Sequence, residues 1–206
     1  MTYLFAVFLW MVWCTLHSAL ITKSVTDYME RKLGDRYRFY RLCFNIFSLV
    51  TFIPLVLFSV SIRGVPIFRW QGLLAIVKYL MLATSLFLFI AGGAHYRMSQ
   101  FLGIHQIKTG SASQVLSKEG MFQTSGILNV LRHPWYAAGI LIVWARDITL
   151  SIFLINLVVS AYFVIGTILE ERKLLHEFGD TYREYQKNVS MLIPLKWLRG
   201  KMVGVD

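Results

Sequence analysis

Two polar runs interrupt an otherwise apolar chain: Arg132-His133-Pro134-Trp135-Tyr136 and Glu170-Glu171. Ionisable groups beside apolar spans are costly and pair with something polar, either each other or a ligand. Proline at a first helical position leaves the residues before it as caps. The N–H groups of such a helix start suit an anion, a ligand carboxylate for example. Arg132 adds a permanent charge there, and His133 a donor or acceptor. The plainer reading makes both residues headgroup contacts ahead of a span. Glu170 or Glu171 could hold a ligand ammonium, or form a salt bridge with Arg172, Lys173 or Arg132. Taken together, the two runs match a zwitterionic ligand with carboxylate and ammonium ends.

The elements that position these residues are membrane spans. The chain has 206 residues, of which 56% are hydrophobic and only 16% charged, a balance rare in soluble domains. Five apolar stretches stand out, at residues 3–21, 42–62, 73–94, 134–145 and 151–169. Four are long enough for a hydrocarbon core of roughly 30 Å at about 1.5 Å per residue. The stretch from Pro134 reaches only about 18 Å. Either that helix starts earlier, near Ile127, and kinks at Pro134, or its start is recessed into the membrane face. The first stretch has no basic segment before it and no clear cleavage site, so it reads as a retained span.

The net charge of +10 does not point to nucleic acid, because the basic residues cluster at the ends of apolar runs. Lys23, Arg31, Lys32, Arg36, Arg38 and Arg41 fall in the first connection, Arg97, Lys108, Lys118 and Arg132 in the third, and seven more in the tail. The opposite side has Arg63, Arg69 and Arg146. This asymmetry predicts an N-terminus outside, a C-terminus in the cytoplasm, and both polar runs at the cytoplasmic face of the membrane. Residues 22–41 read as an interfacial helix. Phe178, Tyr182 and Tyr185 mark one face of a further helix in the tail. Cys14 and Cys43 have neither metal nor disulfide spacing, and His95 and His105 do not make a metal cage. His17 and Ser18 read as a polar helix-end contact, and Asn45 as an interhelical hydrogen bond.

Residues 126–194 resemble the integral-membrane isoprenylcysteine carboxyl methyltransferase and phospholipid methyltransferase superfamily. The likeness rests on Gly126, Arg132-His133-Pro134-x-Tyr136, Glu170-Glu171, Phe178-Gly179-Asp180-x-Tyr182-x-x-Tyr185 and Ile193-Pro194. His17-Ser18, residues 37–45 and Phe101-Leu102-Gly103-Ile104-x-Gln106 are similar to the bacterial branch that contains methanethiol S-methyltransferase. The resemblance implies one all-α polytopic domain over residues 1–206, with about five transmembrane helices, a C-terminal helical hairpin and a cytosolic cofactor pocket. Residues 1–94 would supply three spans, and residues 95–206 the catalytic region.

It further implies S-adenosylmethionine as cofactor, held by Gly120, Gln123, Leu128, His133, Pro134, Trp135, Tyr136, Glu170 and Glu171. Gln106 or Gln114 would supply a family glutamine. Arg132, His133 and Glu170 would serve the reaction. Family members often have Tyr where Leu128 stands. Prenylcysteine-methylating members have an Arg at the position of Gly166, so a small thiol, an amine or a lipidic acceptor is expected instead. The expected partners are membrane lipids and that acceptor, with no nucleic acid. Two other readings share this architecture: a sterol-reductase-like oxidoreductase, and a non-catalytic accessory of nitrogen-oxide metabolism.

Overall fold

Apolar side chains cover the long helices on nearly every face. Leu4, Phe8, Leu49, Val50, Leu80, Phe87 and Ile90 are among the large hydrophobics left exposed. Helices apolar all round belong in hydrocarbon, and the chain is an all-α polytopic membrane protein. The computed structural model describes residues 1–95, 98–109 and 124–203. Among them, four helices are long and apolar enough to cross a membrane. The described residues form two compact units.

The first unit contains α1 (Thr2–Leu20), α2 (Lys23–Leu33), a 3-10 turn (Gly34–Phe39), α3 (Tyr40–Ser61) and β1 (Pro66–Phe68). It also contains α5 (Met98–Phe101), α6 (Ile104–Thr109), β2 (Ile148–Thr149) and the first residues of α8 (Leu150–Asn188). In lipid, apolar contacts provide little drive for helix pairing, and hydrogen bonds contribute more. Trp10 Nε1 donates to Ser59 Oγ (2.9 Å), Trp13 Nε1 to Thr51 Oγ1 (3.0 Å), and His17 Nδ1 lies 3.1 Å from Ser48 Oγ. These three pairs join α1 to α3. Asn45 does bond between helices, to the Phe101 carbonyl at the end of α5 (2.9 Å). Residues 22–41, expected as one helix, instead break into α2, with Arg31 and Lys32 in its last turn, and the 3-10 turn that begins at Gly34, whose φ of 51° ends the α-helix. The two short strands pair antiparallel, a small feature that apolar periodicity does not reveal.

The second unit contains α4 (Leu74–Gly93), a 3-10 turn (Gly126–Asn129), α7 (Pro134–Trp144), the rest of α8, and α9 (Leu195–Val203). Here α4 and α7 pack through small residues. A Cβ added at Gly92 would stand 2.6 Å from the Trp135 ring, and Ser85 Oγ donates to the Ala138 carbonyl at 2.9 Å. Gly139 likewise meets the ring of Phe163 on α8, where an added Cβ would fall at 2.7 Å. Leu88, Leu131, Ala137 and Ala138 form the buried apolar cluster. Trp70 Nε1 donates to the Trp144 and Arg146 carbonyls, covering acceptors that the end of α7 would otherwise leave bare.

The sequence left two starts open for the fourth apolar stretch. The helix begins at Pro134 with His133 as its cap, and the residues from Gly126 to Asn129 form a separate 3-10 turn, so there is no longer helix kinked at Pro134. The fifth continues well past its apolar half: 39 residues at about 1.5 Å each would reach about 58 Å, far beyond a hydrocarbon core. Residues after Leu169 therefore lie outside the spanning part. Inside α8, Gly179 has φ 54° and ψ −126°, non-helical values at which the tail changes direction.

Candidate functional site

Gln186 Nε2 donates to Glu171 Oε2 at 2.7 Å, although 15 residues separate them. A straight helix would hold them about 22 Å apart. The chain thus folds back at Gly179, where glycine takes a positive φ that a side chain would oppose. The returning segment 186–191, the last turn of α8 and the residues just after it, lies along the residues ahead of α7, with an isolated bridge between Leu131 and Ser190. Arg132 N–H donates to the Ser190 carbonyl (2.9 Å) and His133 N–H to the Met191 carbonyl (3.1 Å). Tyr185 OH donates to the Leu128 carbonyl at 2.6 Å.

This strap draws the two polar runs together. Arg132 Nε donates to Glu171 Oε1 at 2.6 Å, and Arg132 Nη1 donates to the carbonyls of Gln186 (3.0 Å) and Val189. The ring of His133, 2% exposed, places Nε2 3.1 Å from Glu171 Oε1 and Nδ1 3.7 Å from Glu170 Oε2. Burial alone would raise the Glu171 carboxyl. Hydrogen bonds from His133, Arg132 and Gln186, together with the Arg132 charge, outweigh it and hold the group down at about 2. Glu171 is therefore the salt-bridge member of the pair, with three side chains donating to it. Glu170 is a quarter exposed, and its closest described polar approach is to His133 Nδ1.

Tyr136 lies edge-on to both His133 (5.7 Å) and Phe163 (5.8 Å). Gly166 brings the α8 backbone beside it, where a Cβ would stand 3.4 Å from the Tyr136 ring. Pro134 is fully buried, and Trp135 Nε1 donates to the Phe89 carbonyl at 3.0 Å. The second unit thus holds Leu128, Arg132, His133, Pro134, Trp135, Tyr136, Glu170 and Glu171. Gln106 belongs to the first unit, on α6, buried and donating from Nε2 to the Gln100 carbonyl at 3.0 Å. Gly120, Gln123 and Gln114 lie outside the described residues. Sequence reasoning missed Gln186 and the strap carbonyls. Their only signal was Gly179, which marks a break without giving the direction of return. His95 Nδ1 donates to the Ala91 carbonyl (2.9 Å), and its ring packs beside Gly126.

The NnrU protein family model matches residues 5–151. The chain belongs to the NnrU family. It is also similar to curated methyltransferases. A methanethiol S-methyltransferase of Pseudomonas deceptionensis is 40% identical over 77 residues, 37% of this chain and 29% of that protein. Methanethiol S-methyltransferase 1 of Bradyrhizobium diazoefficiens is 36% identical over 105 residues, 49% of this chain and 35% of that protein. A protein-S-isoprenylcysteine O-methyltransferase of Schizosaccharomyces pombe is 30% identical over 118 residues, 54% of this chain and 49% of that protein. The chain thus spans less than half the length of these curated relatives. No solved structure matches it.

Proposed function

We propose that the protein is a membrane methyltransferase that uses S-adenosylmethionine and methylates a small thiol or another uncharged, apolar acceptor. The observation that carries this reading is the division of labour between adjacent glutamates. Arg132, His133 and Gln186 engage Glu171, while Glu170 stays partly exposed beside the His133 ring. A carboxylate next to a helix N-terminus gives a cation site and an anion site side by side, the pattern a zwitterionic amino-acid moiety needs.

The donor set therefore fits the cofactor. Glu170 would meet its ammonium, the Trp135 and Tyr136 N–H groups at the helix start that Pro134 fixes would meet its carboxylate, and Leu128 its apolar parts. S-adenosylmethionine, when bound, supplies a methyl group on a sulfonium, and transfer is an in-line displacement. The acceptor arrives as a thiolate whose proton has gone to water. Such a reaction depends on alignment more than on acid–base groups. Arg132 and Glu171 act as positioning residues that hold His133 against the strap. Tyr136, with Gly166 beside it, forms an apolar wall without a cation that would meet a substrate carboxylate. The bias of Lys and Arg supports a cytoplasmic cofactor site with the N-terminus outside, in what would be an inner membrane.

Titration calorimetry of the detergent-purified protein tests this. Wild type is expected to bind S-adenosylmethionine, and Glu170→Gln to bind about 10- to 100-fold more weakly, as for a lost charged hydrogen bond. Equal affinity in both would overturn the site. A non-catalytic accessory role has one observation in its favour: the family match ends at residue 151, before the glutamate pair. Cofactor binding without turnover on thiols, amines or lipids would support that role.

A further inference from the structure

A cavity of about 390 Å³ runs between α1 and α3 in the first unit. Leu9, Val12 and Leu16 line it from α1, and Phe47, Pro54 and Phe58 from α3. Its size falls within the range of sites that hold organic ligands. The wall is mostly apolar; its polar groups are His17 and Ser48, bonded to each other towards one end, and Thr51, which accepts from Trp13 Nε1. Val12, Leu16, Phe47 and Pro54 are exposed, so the cavity is open along its side.

Beyond the polar end stands the guanidinium of Arg41. Arg41 lies on the same face of α3 as Ser48, Thr51 and Leu55, by helical spacing. The Arg41 guanidinium sits 5.6 Å from the centre of the Phe44 ring, and the His17 ring lies 4.9 Å from that same ring. Arg41 is half-buried, and its Nε donates to the Phe101 carbonyl at 3.2 Å. Among the described residues no carboxylate pairs with it. A charged side chain next to a membrane span calls for a partner, and a planar guanidinium suits a phosphate.

We propose that this groove binds an acidic phospholipid, with one acyl chain between α1 and α3 and the phosphate on Arg41. The charge selects the head, and the apolar wall takes the chain. The site would hold the lipid as a bound ligand rather than as exchanging solvent.

The test is native mass spectrometry of the full chain, transferred from mixed micelles holding phosphatidylglycerol and phosphatidylcholine of equal chain length. Wild type is expected to retain one phosphatidylglycerol with at least a fivefold preference, the scale of one basic residue at a membrane surface. Leu16→Trp, at a half-exposed position on the cavity wall, should fill the groove and lose both lipids. Arg41→Gln should keep a bound lipid and bring the preference to within about twofold. Arg41→Lys retains the charge and should retain the preference. Equal retention of the two lipids by wild type would overturn the proposal. So would a preference that Leu16→Trp or Arg41→Gln leaves unchanged. If Arg41→Gln fails to fold by circular dichroism, wild type, Leu16→Trp and Arg41→Lys decide the matter.

Discussion

Oε1 of Glu171 accepts from both Arg132 and His133 while Oε2 accepts from Gln186, so one carboxylate joins the residues before α7, the middle of α8 and the returning tail. Removing one partner of a buried ion pair leaves the other charge stranded, at a cost of about 3 kcal/mol or more. Glu171→Gln would do this to Arg132. The pH dependence follows from the depressed Glu171 carboxyl. Its stabilising contribution is fully present above the ordinary value of 4.5 and is lost as pH falls toward about 2. The melting temperature of the detergent-solubilised protein should therefore fall through that acid window. Glu171→Gln should melt lower at neutral pH and have a flatter acid limb. Parallel curves for the two proteins would refute the assigned role of Glu171. At this scale the sequence was informative about type and silent about assignment. It offered Arg132 as a salt-bridge partner for either glutamate, and nothing in adjacent identical residues says which faces inward.

At the scale of elements, the fold-back at Gly179 does most to assemble the site. It turns a 39-residue helical run into a helix and a return, and only then do Gln186 and Ser190 reach the Arg132-His133 run. No atom lies within 4 Å of where a Gly179 Cβ would sit, so an alanine there meets backbone strain alone. Gly179→Ala should cost about 1–3 kcal/mol of strap stability. Hydrogen exchange should read this as faster exchange of the Arg132 and His133 amides, with the α4 amides unaffected. Unchanged exchange at Arg132 and His133 would mean the strap does not depend on that turn. The apolar spans were legible because hydropathy and helical period act within one element. The start of α7 at Pro134 was legible only as an alternative, because Pro134 permits both a kinked and a new helix. The strap was not legible, since a glycine after an aromatic tells where a helix breaks and not where the chain goes next. The β1–β2 pair escaped for a similar reason: three residues opposite two leave no periodic trace.

For the whole molecule, exposed apolar faces on the long helices and basic residues at their ends make a membrane protein of the NnrU family. The likeness to methyltransferases covers about a third to a half of the chain. The proposed chemistry therefore rests on the constellation in the second unit rather than on overall similarity. The most direct test is transfer of labelled methyl from S-adenosylmethionine to methanethiol by the purified protein in proteoliposomes, with His133→Ala alongside. The account predicts labelled thioether from wild type and at least a 100-fold loss in the variant, with equal membrane insertion of both. Transfer by His133→Ala at the wild-type rate, or no transfer by folded, cofactor-binding wild type to methanethiol or to larger thiols, amines and lipids, would contradict it.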